Sequence, residues 1–158
     1  MAVLTDILIA PTQDAPAIIA NWPGAKNWPG LQTTGLDALV LSDLAEALGQ
    51  SALAIAIAIA IEELDPHSFK EANGPWLYVL PNDLRDHLAN LKADDLGPIA
   101  RTWSEQEEAM ARGMTDDDAA RLLLQIQSLA TTARDDQKPI AALGFVVGMQ
   151  ANLVRYVR

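Results

Sequence analysis

The sequence has no cysteine and only two histidines, His67 and His87. Without cysteine there is no disulfide framework, no thiol nucleophile and no thiolate metal site. A Ser-His-acid set would have to use one of the two imidazoles, and no G-x-S-x-G elbow accompanies them. Glycine-rich phosphate loops of the G-x-G-x-x-G or G-x-x-x-x-G-K-[ST] type are also missing, which excludes the common nucleotide sites. Basic side chains are scarce, 11 against 21 acidic, so the formal net charge is −10. Nucleic acid and anionic lipid are disfavoured partners for such a chain. Four Trp, two Tyr and two Phe are too few and too scattered to show a saccharide cleft. Long apolar runs are absent as well. The longest, residues 52–61, has ten residues, whereas a membrane-crossing helix needs about twenty. No basic residue precedes Lys26 and Asp6 interrupts the first apolar run, so no secretory signal and a cytoplasmic location are expected.

What is present is a chain of 158 residues, half of them apolar, enough for one domain with an unstapled core. Alanine (27) and leucine (22) dominate and favour helix. The expected fold is therefore mainly α, α+β only through a minor pair of short strands, in one compact domain spanning 1–158. Residues 1–35 read as an irregular segment wrapped on that domain. Its four prolines and three glycines leave room for a short strand at 3–10 or a helical turn at 15–20. Within it, Asn-Trp-Pro-Gly occurs twice, at 21–24 and 27–30. Each Pro-Gly suits the centre of a type II turn, and each turn would present an indole.

From Gly35 onward Leu36, Leu39, Val40, Leu44, Ala47 and Leu48 recur at helical spacing, with Asp37 or Ser42 as caps and Gly49 at the stop. In 52–61 the isoleucines alternate with alanines; the alternation has the period of a strand, while alanine is a poor strand former and a good helix former. The balance favours a helix that is apolar all round and central. Residues 76–80 are the clearest strand, with 3–10, the isoleucine segment or 140–147 as its partner. Pro81 and Asn82 open a helix carrying Leu84, Leu88 and Leu91. Asp94 caps another, with Leu96, Ile99, Ala100, Trp103 and Met110 on its stripe and Gly113 at its end. Thr115 ahead of Asp116, Asp117 and Asp118 marks the strongest helix start, with acids at the positive end of the dipole. The apolar stretch 140–149 reads as a strand leading into a helical end.

The order Trp28-Pro29-Gly30-Leu31, then Gly74-Pro75-Trp76-Leu77-Tyr78-Val79-Leu80-Pro81, then Trp103 followed by Glu107-Glu108 resembles that of a group of small uncharacterised bacterial proteins. The resemblance covers residues 28–140. It implies a bacterial intracellular source and no catalytic residues.

Two functional readings follow. The first is a non-catalytic acidic binding protein, of the immunity or antitoxin kind, that covers a basic protein. The first 79 residues hold nine acids and two bases, the remainder twelve and nine, so the N-terminal half carries the stronger steering field. Trp22, Trp28, Asp37, Asp43 and Glu46 are the expected recognition residues, since indoles favour interface centres. The second is a small enzyme in which Asp83 and His87, four residues apart on one helical face, act with Glu107 or Glu108. A structural homodimer subunit is a third role. No cofactor or metal site is expected, because the acidic clusters lack the spacing of a calcium loop.

Overall fold

The computed structural model describes residues 2–20, 27–36, 38–62 and 76–147. Eleven strands and α-helices follow one another along these segments, besides a 3-10 turn at Thr12–Asp14: β1 (Ala2–Ile9), α1 (Ala15–Ala20), β2 (Gly30–Thr34), α2 (Ala38–Ala47), α3 (Ser51–Glu62), β3 (Trp76–Val79), α4 (Asn82–Ala89), α5 (Ala93–Ser104), α6 (Glu107–Ala111), α7 (Asp116–Asp135) and β4 (Ile140–Val147). The protein is mainly α, of the α+β kind. Its β part is larger than a strand pair: four antiparallel strands lie in the order β2-β1-β4-β3.

The first and last strands of the described chain are thus the two central ones. Ile7 and Ile9 of β1 stand opposite Ala142 and Ile140 of β4 and turn to one face, where the main core gathers Val40, Leu41, Leu44, Leu84, Leu88, Trp103, Leu123 and Ile126 from the helices. Because strand side chains alternate, Leu8 and Ala141 turn to the other face. There, with Ala10 and Leu77, they receive Ile18 of α1 and the half-buried Trp28. Residues 2–9, where the entry segment left room for a short strand at 3–10, run through the sheet's interior. Apolar side chains on both faces, Ile7 and Ile9 on one and Leu8 on the other, suit a central strand, and the prolines all fall outside it.

Close approach fixes the junction of β1 and β2. A Cβ on Gly30 would collide with the Ile7 carbonyl oxygen, so only glycine fits where the two strands meet. At the other end of β2, Gly35 takes φ +73 and turns the chain toward α2.

Residues 51–62 form a helix, as the alanine content favours. Its placement differs from the expectation of a central element. α3 packs along α2, burying Ala54 and Ile57 while Ile55 remains 58% exposed; the Ser42 hydroxyl donates to the Ala54 carbonyl at 2.9 Å across that contact. The centre of the core is occupied instead by Trp103, whose indole is fully buried.

The stripe from Asp94 to Gly113 is two helices. α5 closes at Ser104, and α6 restarts at Glu107. The break is held by a side chain distant in sequence: the Asp43 carboxylate accepts from the backbone N–H groups of Glu108 (2.9 Å) and Ala109 (3.1 Å). A helix start leaves such N–H groups unpaired, and Asp43 supplies what no neighbour in sequence does.

Candidate functional site

Of the five residues expected to form a recognition surface, the structure describes Trp28, Asp43 and Glu46, and it does not bring Trp28 together with the other two. Trp22 and Asp37 lie outside the described residues. The Trp28 indole N–H donates to Asp14 Oδ2 at 3.0 Å, and its ring packs against the cluster of Leu8, Ala10, Ile18, Leu77 and Ala141 on the α1 side of the sheet. Asp43 sits on α2, on the opposite side, with its carboxylate directed at the start of α6. Glu46 is exposed and accepts from the Ser51 hydroxyl at 3.1 Å, linking α2 to the first turn of α3. Sequence reading could not separate a turn that displays an indole from one that tucks it inward, because both use Trp-Pro-Gly.

Asp83 and His87 occupy the exposed face of α4. That helix packs on α7, whereas Glu107 and Glu108 open α6, which packs on α2 and α5. Among the described residues no group of three or more His, Asp or Glu side chains is placed to hold a metal ion, and no helix is long and apolar enough to cross a membrane. His67 and the acids at 63–71 fall outside the described residues.

A feature that sequence reading missed lies where β2 faces α7. Among the described residues β2 is an edge strand of the sheet, five residues long and without proline. The N–H of Ile9 donates to the Pro29 carbonyl at 2.8 Å. Since pairing groups alternate along an antiparallel ladder, Leu31 and Thr33 turn their backbone groups toward β1, while Gly30, Gln32 and Thr34 turn theirs outward. The side chains of Leu31 and Thr33 are only half-buried, although they share the face of their partners Ile7 and Thr5, which are buried.

The cover they lack is a groove. Its apolar end, a recess of about 460 Å³, is lined by Ile9, Pro29, Gly30 and Leu31 on the strand side and by Leu124, Ser128, Leu129 and Thr132 of α7. Gln125 is shared with the next recess, of about 370 Å³, where Thr33, Thr34 and Gly35 face Arg112, Met114, Asp118, Arg121 and Leu122. The α7 contributors recur at three- and four-residue steps and so form one stripe of that helix. Leu124 beside it is 55% exposed.

At the polar end the Asp118 carboxylate accepts from the Thr115 backbone N–H (3.3 Å) and pairs with Arg121 Nη2 (2.9 Å), while its own N–H is capped by the Thr115 hydroxyl (3.1 Å). The Thr115 side-chain hydrogen bond, then its backbone hydrogen bond, hold the Asp118 carboxyl below the ordinary carboxylate value; burial opposes them, and the Arg121 charge adds the least of the lowering effects. Comparison with protein-family models, curated proteins and solved structures gives no match.

Proposed function

We propose that this chain is a non-catalytic binding protein, an acidic partner that covers a basic protein as an immunity or antitoxin protein does, and that it holds an extended segment of that partner along the edge of β2 that no other described strand pairs. The observation that carries this reading is the groove itself. It combines outward backbone donors and acceptors at Gly30, Gln32 and Thr34 with half-covered side chains at Leu31 and Thr33 and an apolar wall on α7. A strand added there would satisfy the edge and bury the exposed part of Leu31, the two sources of affinity in β-augmentation.

Charge supports the class of partner. With a net charge of −10, the molecule attracts a basic protein at long range and raises the rate of encounter. The absence of cysteine and the resemblance to small bacterial proteins fit a bacterial cytoplasmic setting.

The test uses the product of the gene encoded beside this one, titrated with the full chain at rising ionic strength. The affinity is expected to fall steeply with salt and to be lost in Gln32→Pro, which removes an outward N–H while leaving the β1 ladder intact. Salt-independent binding that Gln32→Pro leaves unchanged overturns the reading.

A further inference from the structure

Resting on strand addition at β2, we propose that the bound segment is anchored by one large uncharged side chain, aromatic or long aliphatic, seated opposite Leu31 in the recess beside α7. The partner's basic residues then take the neighbouring positions, which face away from α7. The recess of about 460 Å³ has Ile9 and Leu31 on its sheet side and Leu124 and Leu129 on its helix side. Two short side chains, Ser128 and Thr132, stand one and two turns beyond Leu124 on the same stripe; their size keeps α7 from closing over the strand. None of the described residues that line the recess is charged. A charged side chain placed there would lose water without gaining a partner, so a basic protein does not present its charge at this position.

Strand geometry fixes where the anchor sits. Gly30, Gln32 and Thr34 are the residues that can bond an incoming strand, because Leu31 and Thr33 turn their backbone groups to β1. Leu31 therefore meets its new neighbour across a pair without mutual hydrogen bonds. In the antiparallel arrangement, which every described pair of this sheet adopts, such a pair sets its Cα atoms about 4.5 Å apart, with the two side chains in contact on one face. That face is the one turned to α7, where Leu31 is half-buried and Leu124 is 55% exposed. The residues on either side of the anchor alternate to the other face, level with Gly30 and the exposed side chain of Gln32, where Lys and Arg keep their water. One apolar residue between basic ones thus sets the register through the recess, while its neighbours answer the net charge of −10.

The experiment selects octapeptides from a displayed random library against the full chain, then measures synthetic copies by isothermal titration calorimetry. Enriched peptides are expected to share one large apolar residue with Lys or Arg beside it. Replacing the apolar residue by Ala is expected to weaken binding about ten- to hundredfold, the range for burying one such side chain. Leu124→Ser, which truncates the exposed wall, and Ser128→Trp, which fills the recess, should each weaken the parent peptide but not the Ala peptide. A folding defect would weaken both peptides alike, so the difference between them reports the recess. Backbone N-methylation of the peptide at the residues beside the anchor removes ladder hydrogen bonds without touching the protein, and is expected to abolish binding. If it does so while the apolar residue and both α7 substitutions prove without effect, strand addition stands and the anchor is overturned. Binding indifferent to N-methylation, or a library that yields no binder, overturns both readings.

Discussion

The indole N–H of Trp103 on α5 donates to the backbone carbonyl of Val40 on α2 at 2.9 Å, with the ring fully buried. This bond joins two helices 63 residues apart in sequence at the centre of the core. Trp103→Ala is expected to cost about 3–5 kcal/mol through the cavity it leaves, and Trp103→Phe about 1 kcal/mol for the lost hydrogen bond plus a smaller void. Urea denaturation followed by far-ultraviolet circular dichroism measures both. A Trp103→Ala midpoint equal to that of the parent would contradict the central position of this ring.

Asp43 carries a second prediction, because its carboxylate caps a helix that is not its own. Asp43→Ala is expected to destabilise the fold by about 1 kcal/mol, the usual loss at an N-cap. Amide hydrogen exchange should rise selectively at Glu108 and Ala109, whose N–H groups it accepts. If exchange there is unchanged, α6 starts without this side chain.

The third prediction concerns acid. Asp118 is held below its ordinary value of 3.8 by hydrogen bonds to Thr115. A carboxylate depressed in the folded state stabilises the fold above its unfolded value, and that stabilisation is lost as the pH falls through the lower folded value. The carboxyl carbon of Asp118, titrated by nuclear magnetic resonance, is therefore expected to show a midpoint below 3.8, and Thr115→Ala should move it upward. A midpoint unchanged by Thr115→Ala would remove the cap as the cause.

Much of this architecture was legible in the residues themselves. Thr115 with three following acids marked the start of α7, alanine tipped 52–61 to helix, and the apolar stretches 3–10 and 140–149 left room for strands. These signals are local: a cap, a period and a propensity act within a few residues. The break between α5 and α6 was not legible, because the apolar stripe runs on through it and the group that ends it sits on α2. Nor was the enlarged sheet, since pairing β1 with β4 joins segments more than 130 residues apart.

The sequence alone determined the sign of the charge, the lack of thiol chemistry, the helical bias and most element starts, since each depends on residue type or short spacing. Tertiary structure decided that Trp28 turns inward to Asp14, that Asp43 caps α6, and that β2 is the edge strand among the described residues and lies beside α7. Those outcomes depend on which surfaces meet in space: a groove exists only where a strand edge and a helix face come close without filling the gap between them, and periodicity along a single chain carries no record of that distance.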